Sequence, residues 1–119
     1  MSIGMTNLDG ALQVNVGTLF GRELIVIKKA EMEIQTWFFG FLIGRRKFTN
    51  ELIRALRYEE WVEAGVRHCG IRFKYEGQTH VLIKATRETD TLRTVVKIIN
   101  VYRFSHSLSV GEPQLTETI

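Results

Sequence analysis

The residues of this sequence best suited to catalytic or metal chemistry are its histidines and its single cysteine, Cys69. His68 and Cys69 are adjacent, and successive side chains of a strand point to opposite faces, so the two cannot readily bind one metal ion. A zinc site also requires more ligands at closer, repeated spacing. We therefore expect no metal site and no cofactor, and we expect Cys69 to be a small buried hydrophobic residue.

His80 is the only candidate catalytic residue. A histidine base, with Arg72, Lys84 and Arg93 to stabilise phosphate charge, would meet the minimum requirement of a small metal-independent ribonuclease. A single surface histidine more often has no catalytic role. The sequence contains no glycine-rich phosphate loop, no GxSxG, no HExxH and no CxxC pair, which disfavours most common enzyme classes. A non-enzymatic protein is the more consistent interpretation.

Basic and aromatic residues make up the best candidate binding surface. Residues 45–104 contain thirteen basic and seven acidic residues, whereas residues 1–44 contain three basic and four acidic residues. Cations on one sheet face can follow a phosphate backbone, and aromatic rings can stack on bases. The predicted binding residues are Arg45, Arg46, Lys47, Arg54, Arg57, Trp61, Arg72, Lys74, Lys84, Arg93, Lys97 and Arg103.

The same cations have a second explanation. Lysines and arginines on a solvated sheet face discourage edge-to-edge aggregation without binding anything. Val95, Ile99 and Val101 are interleaved with the cations, which suggests that this face is partly covered. Both explanations stay open, and the expected partner of a functional basic face is nucleic acid or an acidic protein surface.

The most apolar stretch is residues 34–44, IQTWFFGFLIG, which we predict to be a strand that begins near Ala30. It is about half as long as a bilayer-spanning helix, so we expect no membrane partner. Its apolar character on both faces predicts cover on both sides, by the chain's own helix or by a second copy in a homo-oligomer. The predicted interface residues are Trp37, Phe39 and Phe41. Insertion into a membrane surface is the least favoured alternative.

The remaining patterns predict an α+β fold made of antiparallel β-meanders and one principal helix, in the order βββαβββ. Alternation predicts strands over residues 11–20, 23–28 and 30–44, then over 71–75, 81–85 and 91–104. Between the two groups, Thr49 as a cap, Glu51 in the first turn and Gly65 as a stop predict a helix over residues 49–64.

Length and composition predict a single domain over residues 11–104, with a flexible N-terminal arm over 1–10 and a mobile C-terminal tail over 105–119. One cysteine cannot form an internal disulfide, and residues 1–10 have neither the basic head nor the apolar core of a secretory signal. We therefore expect a cytoplasmic protein.

Three functional hypotheses follow. The first is a small non-enzymatic binding protein, such as a regulator, inhibitor or accessory factor, that uses a basic surface against nucleic acid or an acidic protein partner. The second is a structural or protein-interaction subunit that assembles through its aromatic strand. The third is the ribonuclease centred on His80.

Overall fold

The computed structural model describes residues 1–111, with side chains as far as Phe104, as eight strands followed by one helix. This confirms the α+β class with antiparallel meanders and one principal helix, although the helix comes last. The elements are β1 (Ser2–Leu8), β2 (Ala11–Gly17), β3 (Gly21–Ile27), β4 (Glu31–Phe38), β5 (Phe41–Thr49), a 3₁₀ turn (Asn50–Leu52), β6 (Ile53–Glu63), β7 (Val66–Tyr75), β8 (Gln78–Ala85) and α1 (Thr89–Gly111).

The chain divides into two compact units, and the single domain expected over residues 11–104 stays a prediction. Of the described residues, the first unit contains 1–50 and 99–111, and its five-stranded sheet has the order β1-β2-β3-β4-β5. One face of this sheet is apolar because alternate residues of neighbouring strands stand side by side, as Val14, Ile25 and Ile34 do in the register. All three are fully buried, so this row is the centre of the first core.

The second unit, Glu51–Ile98, contains a three-stranded sheet with the order β6-β7-β8. Ile71 and Phe73 of β7 are buried on one face of this sheet, and Leu82 and Ile83 of β8 are buried across a β-bulge. The opposite face of β7 carries polar residues. This alternation is typical of a sheet with one covered and one solvated face.

Four hairpins turn through a residue–glycine pair in which both residues have positive φ. The pairs are Asp9-Gly10, Phe39-Gly40, Ala64-Gly65 and Glu76-Gly77. Positive φ at both central residues is the geometry of the two-residue hairpin turn that matches strand twist. The pairs at residues 9–10 and 76–77 fall between predicted elements, whereas the pair at 39–40 falls inside the predicted strand over 30–44 and the pair at 64–65 at the end of the predicted helix.

The predicted single strand over residues 30–44 is wrong, because the chain reverses at Phe39-Gly40 and forms the two strands β4 and β5. Gly40 is the second residue of this turn, with φ of 83°. The apolar run therefore lies on both sides of a hairpin end.

The predicted helix over residues 49–64 is also wrong, since Ile53–Glu63 is strand β6. A β-bulge between Arg54 and Arg57, with Ala55 at a φ of 55°, places both Ile53 and Leu56 in the core. A bulge adds one residue to a strand, so a spacing of three arises without a helical turn. That spacing imitated the apolar face of a helix.

The opposite error occurs at residues 91–104, predicted as a strand and found within α1. Leu92, Val95, Val96 and Ile99 are buried at spacings of three, four and seven, which is the pattern of one helix face. Valine and isoleucine have high strand propensity, and their alternation with polar residues supported the wrong period.

The expected flexible arm is strand β1, which pairs with β2 along its whole length from Ser2 to Leu8. The Asp9-Gly10 turn makes this pairing possible because it returns the chain directly. Within the predicted tail, α1 continues through residues 105–111, and residues 112–119 lie outside the described part of the chain. Among residues 1–111, no helix is both long and apolar enough to cross a membrane.

Candidate functional site

Seven large apolar side chains are exposed where β2 turns into β3 and β4 turns into β5. Because β3 and β4 are neighbours, the two turns lie side by side at one end of the five-stranded sheet. Leu19 is 87% exposed and Phe41 is 73% exposed, which is far from the behaviour of core residues. We call this surface the apolar tip; it consists of Leu19, Phe20, Phe38, Phe39, Phe41, Leu42 and Ile43.

Local bonds hold the two turns of the apolar tip together. The Thr18 amide donates to the Gly21 carbonyl at 2.8 Å, which closes the first turn. The Phe39 amide donates to the Phe20 carbonyl at 3.2 Å, and the rings of the same two residues lie 5.9 Å apart. A side chain at Gly21 would collide with the carbonyl oxygen of Trp37, so glycine allows the close approach of β3 and β4. The tip is therefore an ordered surface.

The apolar tip is apolar on both faces of the sheet. Phe38 is paired with Phe41, and Trp37 is paired with Leu42. Paired residues of antiparallel strands share a face and consecutive residues alternate, so the two pairs point to opposite sides. The sequence predicted cover on both faces, but Phe38 and Phe41 are exposed on one side and Leu42 on the other. Within this unit, the chain folds its core elsewhere and leaves the tip uncovered.

Of the three predicted interface residues, Phe39 and Phe41 belong to the tip and Trp37 lies just behind it. Trp37 is half-buried, its indole nitrogen donates to Gln35 Oε1 at 3.1 Å, and the Arg22 guanidinium lies 5.3 Å from its ring centre. A guanidinium at this distance is attracted to the ring. Trp37 is thus held by its own sheet.

Cations follow the apolar residues along β5. Arg45 forms a 2.7 Å ion pair with Glu33, the one buried charged residue in the described part of the chain. Arg46 and Lys47 are exposed, and neither forms an ion pair with another residue whose side chain the structure describes. The predicted basic triplet therefore contributes two free cations and one that is neutralised.

The outer face of the three-stranded sheet carries the densest group of predicted binding residues. We call it the charged face; it consists of Arg57, Glu59, Trp61, Glu63, His68, Arg72 and Lys84. Trp61 lies over Gly70, where an added Cβ would stand 3.0 Å from the indole and would collide with the Ile83 carbonyl. The Arg72 guanidinium lies 4.4 Å from the Trp61 ring centre. The indole is therefore occupied by its own sheet and is not a free stacking platform.

Ion pairs offset most of the positive charge on the charged face. Glu59 accepts from Arg57 at 2.7 Å and from Arg72 at 2.6 Å, and the hydrogen bond from Arg57 is the main reason that the pKa of Glu59 lies below its ordinary value. Lys84 donates to Glu63 at 2.7 Å and likewise lowers the pKa of Glu63. Three predicted phosphate-binding cations thus already have carboxylate partners.

A pocket of about 290 Å³ opens beside this cluster, at the bulge of β6. Its lining includes Arg57, Glu59, Arg72, Lys74 and Thr79. Glu59 holds both guanidiniums, and Lys74 is exposed without an ion pair to any residue whose side chain is described. A lone surface cation of this kind is not a preorganised anion site.

The remaining predicted cations do not lie on one sheet face, because α1 is a helix. Arg93 of α1 lies 4.5 Å from the Tyr58 ring centre, and Arg103 donates to Asn100 Oδ1 at 3.1 Å. Lys97 is exposed on α1. In the second unit, Arg54 donates to the backbone carbonyls of residues 51 and 53. The continuous basic sheet predicted from a strand at residues 91–104 is therefore not formed.

The ribonuclease constellation is not brought together either. His80 is paired with Phe73, and their rings are stacked at 5.3 Å. Arg72 directly precedes Phe73 and points to the other face of the sheet, which is also the face of Lys84. Cys69 is buried as expected. Within the described residues, no group of three or more potential ligands could hold a metal ion.

Sequence reasoning identified the aromatic stretch but missed its form. The signal was present in the residue–glycine pair at 39–40, because Asp9-Gly10 and Glu76-Gly77 form turns of the same geometry. Leu19 and Phe20 were assigned to a half-buried strand, although Gly21 follows them as the start of β3. No protein-family model, curated protein or solved structure matches this chain.

Proposed function

We propose that this chain is a non-enzymatic interaction protein that acts by contact and that the apolar tip is its docking surface. The observation that carries the proposal is the exposure of seven large apolar side chains in a unit that buries Val14, Ile25 and Ile34 completely. Because the unit buries these residues completely, the exposure of the tip does not result from the absence of a core. Large exposed apolar patches mark interaction sites in soluble domains.

The size of the apolar tip supports this proposal. A free side chain of this size exposes on the order of 150–250 Å², so exposed fractions between 40% and 87% correspond to roughly 800 Å² for the seven residues. The largest patch on a typical monomer is about 300–600 Å², and a standard protein interface buries about 800 Å² on each partner. The tip is therefore large enough to be a complete interface.

The backbone conformation of Phe39 supports the docking surface independently of its area. Phe39 occupies a left-handed turn position with φ of 49°, which is unfavourable for a bulky side chain, and it is 64% exposed. The equivalent positions of the other three turns hold Asp9, Ala64 and Glu76. Phenylalanine here costs folding energy and gains little burial, so a gain outside the folded monomer explains it best.

Photo-crosslinking tests the proposal. A benzoylphenylalanine would replace Phe41 in one variant and Val62 in a matched control, since Val62 is 68% exposed beside the β6–β7 turn. In living cells that produce the chain, we expect light-dependent adducts with a protein, a second copy or lipid at position 41, several-fold above those at position 62. Equal yields at both positions, or none at position 41, would contradict the proposal.

A basic surface for nucleic acid or an acidic protein is the second candidate function. It now depends on Arg46 and Lys47, which are exposed and outside the ion pairs of the described residues. Anisotropy of labelled single-stranded RNA and duplex DNA, at about 50 and 200 mM salt, would test it. Salt-sensitive binding that Arg46→Gln with Lys47→Gln removes would favour this candidate over the apolar tip.

A further inference from the structure

We infer that the apolar tip docks into the surface of an anionic lipid bilayer. This inference rests on the proposed function, because it names the partner of the same docking surface. The sequence alone made membrane insertion the least favoured role of the aromatic stretch. Three observations change that order: the tip is apolar on both faces, cations follow it at a defined distance, and its own residues contain no carboxylate.

The first observation is that side chains of the tip are exposed on both faces of the sheet. A second copy or another protein that packs flat on one side of the sheet would bury Phe38 and Phe41 and leave Leu42 in water, or the reverse. Phe39, at the turn itself, projects beyond the paired strands. A medium that surrounds the tip covers all of these side chains at once. The boundary between headgroups and acyl chains is such a medium, and amphipathic elements enter it to a depth of about 5–10 Å.

The second observation is the order of residues along β5. A strand rises about 3.3 Å per residue, so Phe41 to Ile43 occupy roughly the first 10 Å, and Arg45 to Lys47 lie roughly 13–20 Å behind Phe41. Headgroup layers are about 5–8 Å thick on each side of the hydrocarbon core. With the tip in the acyl boundary, the long side chains of Arg46 and Lys47 reach the phosphate level. Trp37, directly behind Phe38, takes the interfacial position that indole rings prefer.

The third observation is electrostatic. Residues 18–22 and 37–48 contain three arginines, one lysine and no aspartate or glutamate. Glu33, on the neighbouring strand, is buried and neutralised by Arg45. Glu23 of β3 lies level with Thr36 and Gly44, is half-buried and accepts a hydrogen bond from Thr36 at 3.4 Å. The seven residues of the tip themselves present no anion to an anionic membrane. Each lysine or arginine near such a surface strengthens binding about fivefold, so the two free cations predict a preference for anionic over neutral vesicles of roughly 25-fold.

Vesicle co-sedimentation tests the inference. We would compare vesicles of phosphatidylcholine alone with vesicles that contain about 30% phosphatidylserine, near physiological salt, where anionic attraction persists. The wild-type chain is expected to bind the anionic vesicles. Phe39→Asn combined with Phe41→Ser should weaken binding by about 100-fold, since each loses a buried aromatic contact. Arg46→Gln with Lys47→Gln should reduce only the anionic preference.

The matched control is Val62→Ser with Val66→Ser. These valines flank the Ala64-Gly65 turn of the β6–β7 hairpin, and they are 68% and 49% exposed. The control removes two exposed apolar side chains beside a hairpin turn of the same geometry. Its vesicle binding should equal that of the wild type. Asparagine at position 39 suits the positive φ of that turn, so the tip variant is expected to fold.

The outcomes separate the two proposals. Undiminished vesicle binding by the tip variant would overturn the bilayer inference. Absence of wild-type vesicle binding, together with a dimer in sedimentation velocity that the tip variant loses, would overturn the bilayer inference and leave the proposed function standing with a second copy as partner. Absence of vesicle binding, of self-association and of adducts at position 41 would overturn both.

Discussion

The charged face and the apolar tip differ in whether their exposed side chains have interaction partners within the fold. On the charged face, Arg57, Arg72 and Lys84 have carboxylate partners, and Trp61 is stacked on its own sheet. At the tip, aromatic residues contact one another and water. The number of cations in a sequence therefore does not give the number of free cations, because nearby carboxylates can pair with them. Likewise, an apolar run is not core when a turn divides it.

Loss of the indole should produce the largest difference between the two regions. Trp61→Ala uncovers the sheet at Gly70 and removes the Arg72 stack, so we expect a loss of about 2–3 kcal/mol in the free energy of unfolding. Phe41→Ala removes a ring that is 73% exposed, and its effect should stay within about 0.5 kcal/mol. Urea unfolding followed by circular dichroism measures both. A larger loss for Phe41→Ala would contradict the assignment of the tip as non-core.

Two glycines, one under Trp61 and one on β5, should respond differently to an added methyl group. Gly70→Ala should destabilise the fold by about 1–3 kcal/mol, because the added methyl group collides with the Ile83 carbonyl and presses on Trp61. The control is Gly44→Ala of β5, whose Cβ would meet Thr36 at an ordinary 3.8 Å. We expect Gly44→Ala to be neutral or slightly stabilising. Equal thermal midpoints for the two variants would contradict the close approach of the Ile83 carbonyl and Trp61 to Gly70.

The ion pairs of the charged face predict a specific dependence on pH. The pKa of Glu59 is lowered in the folded state, so its stabilisation is present above the ordinary carboxyl pKa and is lost as pH falls through the lowered value. Glu59→Gln should therefore lower the stability by about 1 kcal/mol at pH 7. The difference from wild type should disappear in acid. A difference in melting temperature that stays constant between neutral and acidic pH would refute the pairing.

Phe39→Asn is the smallest predicted change, and its sign is informative. Asparagine tolerates the positive φ of this position better than phenylalanine, so we expect a gain of about 0.5–1 kcal/mol in the free energy of unfolding. The gain should accompany a loss of binding at the tip. If Phe39→Asn instead destabilises the chain, the ring supports the fold and its exposure needs no partner.

The α+β class and antiparallel pairing could be predicted from the sequence, because alternation in β2 and the residue–glycine turns are local signals. The identity of two long elements could not. The bulge at Ala55 gave β6 a helical spacing, and the valines and isoleucines of α1 gave a helix the composition of a strand. Both errors arise where tertiary packing outweighs local propensity.

The sequence named Trp37, Phe39 and Phe41 as interface residues, and two of the three belong to the apolar tip. The arrangement of the tip could not be predicted, because only the turn at Gly40 makes Phe39 and Phe41 an exposed end. Whether a cation is free depends on its contacts with neighbouring strands. Glu59 reaches Arg72, thirteen residues away, and Glu63 reaches Lys84, twenty-one residues away. Pairings at such separations depend on register, which the misassigned elements concealed.

Tryptophan fluorescence distinguishes the two regions in one experiment, because Trp61 belongs to the charged face and Trp37 lies directly behind the apolar tip. In Trp61→Phe, the remaining Trp37 reports on the tip, and in Trp37→Phe, the remaining Trp61 reports on the charged face. With vesicles that contain phosphatidylserine, we expect the Trp37 emission to shift to the blue and to be quenched by brominated acyl chains, while the Trp61 emission stays unchanged. A shift of Trp61 with an unchanged Trp37 would contradict the account.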